Sequence, residues 1–332
     1  LKHANVAIFV PHNGCPHQCS FCNQRSITGR LSQPTPQDVL DAVEIAKSSL
    51  GEDTKNAEIA FFGGSFTAIE RGYMVSLLNA AAPFVKDATF AGIRISTRPD
   101  YIDDEILALL KRYGVTAIEL GAQSMDDRVL KQNGRGHTAK QVEDAAKLIK
   151  SYGFTLGLQM MTGLYGDTAA GGFQTAEKLA ALKPENIRIY PTIIMRGTEL
   201  GDQYLRGEFK TLSLDETVEL CAVLLDFFEE RGIAVIRLGL HSSPELERDM
   251  LSGPWHPAFR ELCESSRILH KMIDVLTRNN IPKGTITVKV NPRTVSKATG
   301  QKKSNLNALC DLGYQVRIMP DSSVLENCFT IE

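Results

Sequence analysis

The sequence predicts an α/β fold: a parallel sheet, covered by helices, that curls into a partial (β/α)6 TIM-like barrel, followed by a C-terminal extension and a small basic tail module. Three observations predict it. Up to about residue 191, short apolar runs alternate with longer amphipathic ones. The short runs are near-continuously apolar, as strands buried on both faces are. Six such strand-then-helix units follow one another, the pattern of a sheet whose crossovers are helices. An open doubly wound sheet is the alternative that the same alternation permits.

In chain order, strands are predicted at 6–10, 58–62, 92–96, 117–120, 154–160 and 187–190, and helices at 36–50, 69–82, 103–113, 139–152 and 168–182. The first helix begins with its signals together: Thr35 as N-cap, Pro36 at the first helical position and Asp38 where a carboxylate meets exposed amides. Gly114 and Gly153 close two others. After Tyr190 come a loop, an acidic amphipathic helix near 214–230, a strand-like run at 233–238, the turn Ser252-Gly253-Pro254-Trp255-His256-Pro257 and a helix at 258–278. The tail after Pro282 reads strand (285–290), short helix, the turn Gly300-Gln301-Lys302-Lys303, helix (304–312) and strand (314–319). The expected domains are a core barrel at 1–200, an extension at 201–281 and the tail module at 282–332.

Composition narrows the class. The 332 residues are 43% hydrophobic and 23% charged, with a net charge of -2, enough for a sizeable packed core and unlike a disordered chain. No apolar run approaches the roughly 18 to 20 residues that span a bilayer. Leu1 to Asn5 lead into a strand-like run without a signal peptide's apolar stretch, so no membrane partner and a cytoplasmic location are expected. Seven cysteines are an odd number for a disulfide framework. Cys15, Cys19 and Cys22 fall within eight residues, whereas Cys221, Cys263, Cys310 and Cys328 are scattered singly.

The three clustered thiols stand as CxxxCxxC in Cys15-Pro16-His17-Gln18-Cys19-Ser20-Phe21-Cys22, directly after the first predicted strand. The loop leaving a strand's C-terminal end opens onto the ligand face of a parallel sheet. Three thiolates on one loop can hold three irons of a cubane cluster and leave the fourth open. A structural zinc with His12 or His17 as fourth ligand is the other reading of the same residues. Paired glycines in Gly63-Gly64-Ser65, at the end of the second strand, permit positive φ and close approach of a ligand to the backbone.

CxxxCxxC with Phe21 before its last cysteine resembles the radical S-adenosylmethionine (SAM) superfamily. The resemblance implies a [4Fe-4S] cluster on Cys15, Cys19 and Cys22, and SAM as cosubstrate, cleaved reductively to a 5′-deoxyadenosyl radical. It also implies an electron donor such as a flavodoxin or ferredoxin. Gly63-Gly64-Ser65 looks like the superfamily's Gly-Gly-Glu-like motif for the methionine amino group. Ser96-Thr97-Arg98-Pro99-Asp100-Tyr101, Glu119-Leu120-Gly121-Ala122-Gln123-Ser124, Asn133-Gly134-Arg135-Gly136-His137-Thr138 and Ile189-Tyr190-Pro191-Thr192 follow the order of the Elongator catalytic subunit family, over roughly residues 5 to 240. By similarity to oxygen-independent coproporphyrinogen oxidases, Gln123 would meet the ribose and Arg135 the methionine carboxylate, a task suited to a guanidinium fork. Gln159 stands where an acid often contacts the ribose and Ser96 where the Elongator family usually has Glu; both are departures. His137, His241, His256, Tyr165 and Tyr190 are given no catalytic role.

Between Lys283 and Met319 seven basic residues face one acid, a net of +6 that leaves -8 for the rest of the chain. Such a stripe is the footprint of phosphate binding. Residues 295–306 also resemble the helix-GxxG-helix of KH domains, with Lys303 in place of the final glycine. The resemblance to the Elongator family, whose members modify the wobble uridine of transfer RNA, implies RNA, and transfer RNA above all, as partner, and the basic tail agrees with it; a small molecule or peptide substrate, and a non-catalytic metal- or RNA-binding module, are the rivals. Elongator subunits add an acetyltransferase domain, and the residues after 285 are too few to form one, so carboxymethylation of uridine by this chain alone is not expected.

Overall fold

The computed structural model describes residues 4–11, 15, 18–23 and 32–332; His12 and His17 lie outside the described residues. The first of two compact units comprises Leu1–Leu212 and Phe228–Pro254. Its sheet begins with β1 (Ala4–Val10), β2 (Ala57–Gly63), β3 (Gly92–Thr97), β4 (Val115–Gln123), β5 (Thr155–Thr162) and β6 (Asn186–Pro191), all parallel and in chain order. A two-residue strand β7 (Ile194–Met195) then leaves the sheet, and β8 (Ala234–Leu238) returns to pair parallel with β6. The strand order never reverses, whereas a doubly wound sheet requires a reversal at its switch point. The half-barrel therefore has seven strands, one more than the six regular units read from the sequence. β9 (Met250–Ser252) pairs antiparallel with β7.

The expected helices form where their caps put them. Thr35 and Asp38 close a reciprocal capping box ahead of Pro36–Leu50, with the Thr35 hydroxyl accepting from the Asp38 amide at 3.2 Å and the Asp38 carboxylate from the Thr35 amide at 2.7 Å. Asp103 caps Asp104–Arg112, whose Ile106, Leu107 and Leu110 are buried as one stripe. The helix expected from residue 69 starts at Arg71, because the Glu70 carboxylate accepts the Gly72 and Tyr73 amides and holds Glu70 outside the helix. Strand interiors are apolar and closed to water: Ile59, Phe61, Ile93, Ile95, Ile118, Leu156 and Ile187 are all fully buried.

The second unit comprises Ser213–Phe227 and Trp255–Glu332. Its sheet, in the order β11 (Tyr314–Pro320), β10 (Gly284–Val290), β12 (Phe329–Ile331), joins a parallel to an antiparallel pair. Ile268, Met272 and Leu276 of helix Phe259–Arg278 share one core with Ile286, Val288 and Val290 of β10 and with Ala298 and Leu309 of two short helices. Among the described residues no helix is long and apolar enough to cross a membrane.

Phe61 on β2 stacks on Phe66, five residues on, at 4.7 Å between centroids, and thereby fastens the intervening Gly63-Gly64-Ser65 turn to the core. Replacing Phe66 with Ala is expected to cost about 3–5 kcal/mol, read as a lowered thermal midpoint of the first unit's transition.

Candidate active site

The loops that leave β1, β2 and β4 converge because parallel strands all end on one face. Their side chains line a cavity of about 130 Å³. Cys15, Cys19 and Cys22 line it, as do Phe21, Gly63, Gly64, Ser65, Ser96, Gln123, Arg135 and Gln159, so every site residue read from the sequence is at this one place.

Each is held by an identifiable contact. Cys19 is buried, Cys22 half-buried and Cys15 exposed at the rim. The Cys22 amide donates to the Cys19 carbonyl at 3.1 Å, and the Ser20 amide and hydroxyl donate to the Asn133 carbonyl and Oδ1 at 3.1 and 3.0 Å. Asn133 is fixed in turn, its Nδ2 donating to the carbonyls of Val129 and Tyr165. Phe21 packs on Val129, Met161 and Leu164 with Tyr190. Gly63 has φ +110°, and a Cβ there would stand 3.0 Å from the Val10 carbonyl oxygen, so the close passage of the β1 and β2 ends needs glycine. The Gly64 amide donates to that same oxygen at 2.7 Å.

Arginines bind the loops together. Arg135 donates from Nη1 to Cys19 Sγ at 3.1 Å and from Nη2 to the Gly121 carbonyl at 2.6 Å, while its Nε is buried with no partner. Arg98, whose type and position in the sequence carry no sign of this task, forms a two-pronged pair with Asp100 and donates to the Arg135 carbonyl at 2.6 Å. Its amide donates to Ser65 Oγ, which also shares a hydrogen bond with Thr97. Gln123 ends β4 at a register shift with φ +65°, a left-handed backbone unusual outside glycine, and its Oε1 is buried without a partner.

Desolvation of the sulfur and the neighbouring Cys19 push the Cys15 thiol up, against Arg98, the Ser65 backbone and Arg135. Burial, and then Arg135, hold the His137 imidazole down at about 4; its Nε2 meets the Ala122 carbonyl, so this histidine is a neutral buried support. Tyr165 packs edge-on against Phe209, and His256 accepts the Ala258 amide, both structural positions.

A second chamber of about 640 Å³ shares Phe21, Cys22, Gly63, Ser96, Gln123 and Gln159 with the first. Residues of β1 (Asn5, Ala7, Phe9) and of β8 (Arg237) both line it, which is the direct sign that the sheet curls. Behind the lining residues Arg188 and Gln159 lies a buried ion network that was not anticipated from the sequence. Glu119, 1% exposed, accepts from Arg94 Nη1 at 3.2 Å, from Arg188 Nε and Nη2 at 2.6 and 2.8 Å, and from Gln159 Nε2 at 3.0 Å. Arg94 also donates to Glu58 at 2.7 Å. The available signal was a charged residue in the middle of an apolar strand, repeated at Glu58, Arg94, Glu119 and Arg188.

In the second unit, Gly300 has φ +77° and a Cβ there would stand 2.7 Å from the Asn305 amide, so the Gly300–Lys303 turn needs its first glycine. Lys302 and Lys303 both adopt left-handed backbone and are exposed immediately before helix Ser304–Asp311. Of the other basic residues, Lys289 pairs with Glu332, Arg293 with Glu326 and Lys297 with Glu264.

The sequence profile of the radical SAM superfamily matches residues 9–179, and that of the radical SAM C-terminal domain residues 184–268. Elongator complex protein 3 of Schizosaccharomyces pombe is 28% identical over 268 residues, covering 67% of this chain and 49% of that protein. The tRNA uridine(34) acetyltransferase of Methanocaldococcus jannaschii is 26% identical over 258 residues, covering 65% of this chain and 47% of its own length. The chain thus spans about half the length of these curated relatives. The structure of the archaeal Elp3 of Methanocaldococcus infernus, with an N-terminal deletion, superposes with a TM-score of 0.63 at 20% identity, covering 85% of this chain and 66% of that one, a likeness of fold.

Substituting Glu119 with Ala leaves the buried Arg94 and the half-buried Arg188 without their shared counter-charge. The expected cost is about 3–5 kcal/mol in unfolding experiments, whereas Arg71→Ala, which breaks an exposed pair with Glu105, is expected to cost under about 1 kcal/mol.

Proposed function

Since the chain belongs to the radical SAM superfamily, a family of enzymes that use a [4Fe-4S] cluster and SAM, we propose that Cys15, Cys19 and Cys22 hold the cluster and that the enzyme modifies RNA, with transfer RNA as substrate. The observation that carries the first part is the convergence of all three cysteines with Gly63, Gly64, Gln123 and Arg135 on one small cavity beside a larger one.

The residues present fit the cofactors. Among the described residues, no three His, Cys, Asp or Glu side chains converge as ligands of a single metal ion. The buried, unpartnered Gln123 Oε1 and Arg135 Nε are an acceptor and a donor at the same cavity, as a ribose hydroxyl and a carboxylate require. When bound, the cluster and SAM supply one-electron cleavage of the sulfonium and a carbon-centred radical that abstracts hydrogen.

The chain's own work is placement. Arg98 holds the Arg135 loop through its carbonyl, and Arg135 holds Cys19 through its sulfur, so the cluster loop and the carboxylate-binding fork are positioned together. Glu119 takes the Gln159 amide nitrogen, which leaves the Gln159 oxygen as an acceptor at the junction of the two chambers. Paired glycines keep the backbone within reach of a ligand. Apolar side chains of Phe9, Phe62, Met161 and Ile193 line the larger chamber and give it an apolar portion of wall against which a substrate can pack.

The transfer RNA part is supported by the relatives, one of which is named for tRNA uridine(34), and by the exposed Lys302 and Lys303 turn, which would meet phosphates as a KH loop does. Nucleosides of transfer RNA from cells with and without the gene are expected to differ in one modified species; identical profiles contradict an RNA substrate. In binding assays on the full chain, Lys302→Glu with Lys303→Glu is expected to weaken transfer RNA binding by about tenfold or more and to flatten its salt dependence by up to about two phosphate contacts.

A further inference from the structure

We propose that Arg135 tunes the reduction potential of the iron-sulfur cluster: its guanidinium, fixed against the Cys19 sulfur by the loop after β4, makes the cluster easier to reduce. The inference rests on reading Cys15, Cys19 and Cys22 as the cluster's ligands.

The contact is built into the backbone. Asn133-Gly134-Arg135 lies along Gln18-Cys19-Ser20 and meets it at every residue. The Asn133 carbonyl and Oδ1 accept from the Ser20 amide and hydroxyl at 3.1 and 3.0 Å. Gly134 has φ +61°, and a Cβ there would stand 3.2 Å from the Gln18 carbonyl oxygen, so the two segments pass closer than a side chain comfortably allows. Arg135 then donates from Nη1 to Cys19 Sγ at 3.1 Å. Its Nη2 is tied to the Gly121 carbonyl, its amide donates to the Leu130 carbonyl at 3.0 Å, and its own carbonyl accepts from Arg98. Held at both main-chain groups and at a second guanidinium nitrogen, the side chain has little freedom to leave the sulfur.

The charge of Arg135 has no protein acid against it. The residue is 7% exposed, and its guanidinium is permanently protonated. Among the described residues, no Asp or Glu bonds to it; its partners are one sulfur and one carbonyl, and its Nε has none. Arg98 beside it is, by contrast, paired with Asp100. A cation out of water persists where negative charge meets it, and a Cys19 thiolate that ligates a cluster supplies that charge. Cys19 is also the buried member of the three cysteines, so a fixed charge is least screened at its corner. Reduction adds one negative charge to the cluster. A cation and an N–H donor at a ligand sulfur stabilise the reduced form more than the oxidised one and so raise the potential.

The test is an EPR-monitored reductive titration with dithionite, without SAM, of the anaerobically reconstituted full chain beside Arg135→Gln, Arg135→Lys and Arg71→Gln, with iron and sulfide counted first in each. At the solution potential that half-reduces the wild-type cluster, the reduced-to-oxidised ratio in Arg135→Gln is expected to fall about tenfold, a shift of about 59 mV toward more negative potential for one electron. Arg135→Lys, which keeps the charge, should recover part of that shift. Arg71→Gln, which removes an exposed charge, should leave the potential in place. A loaded Arg135→Gln chain with the wild-type potential, or an equal fall in Arg71→Gln, overturns the proposal. Where Arg135→Gln does not hold the cluster, the wild-type chain carrying isotope-labelled arginine nitrogen decides: pulsed EPR of the reduced cluster is expected to show coupling to that nitrogen, and its absence overturns the proposal. A wild-type chain that takes up no iron and sulfide fails the cluster reading itself, whereas a loaded chain whose potential ignores residue 135 fails this inference alone.

Discussion

A single buried carboxylate organises the interior of this half-barrel. Glu119 accepts four hydrogen bonds from three side chains that come from β3, β5 and β6, and through Arg94 it is tied to Glu58 on β2. Charges taken out of water persist only when paired and hydrogen-bonded. Five neighbouring strands are thereby bound to one register, since a one-residue slip in any of them would turn its charged or amide side chain to the opposite, apolar face. The functional face inherits that order: Ser96 and Gln159, which sit at the junction of the two cavities, share their strands and strand face with Arg94 and with the network's amide contact.

A second chain of contacts carries the order outward to the cysteine loop. Thr97, at the end of β3, is the common partner of Ser65 and Thr67, and so ties the glycine turn after β2 to the next strand. Arg98, the following residue, reaches the Arg135 carbonyl, and Arg135 reaches the Cys19 sulfur. Loops after β1, β2, β3 and β4 are in this way one hydrogen-bonded assembly. Where its polar capacity is left over, at Gln123 Oε1 and Arg135 Nε, the unpaired atoms lie in a cavity lined by the three thiols, which is where burial without a ligand would be costly.

Much of this was legible in the sequence because the informative residues sit on loops at strand ends. CxxxCxxC, Gly63-Gly64-Ser65, Gln123 and Arg135 could be placed on one face once the strands were recognised, and apolar runs bounded by caps and glycines made the strands recognisable. The Glu119 network was not read because its partners are 25 and 69 residues away and meet only through sheet register, which periodicity does not specify. Its trace was nevertheless present, as charges of both signs at the centre of apolar strands. The run at 233–238 was read as a strand, but its place beside β6 depends on a long crossover that interrupts the regular alternation. In the tail, the +6 counted to Met319 overstated the free charge, because Glu326 and Glu332 follow and, with Glu264, pair with three of the seven basic residues. Lys302 and Lys303 keep theirs exposed.

The measurement that bears most directly on the account is anaerobic reconstitution of the wild-type chain beside its Cys19→Ala variant, with iron, sulfide and 5′-deoxyadenosine all quantified. About four irons and four sulfides per chain are expected, and 5′-deoxyadenosine on reduction with SAM, with both signals lost in the variant. A wild-type chain that takes up a single metal ion without sulfide, or that forms no 5′-deoxyadenosine when loaded and reduced, would contradict it.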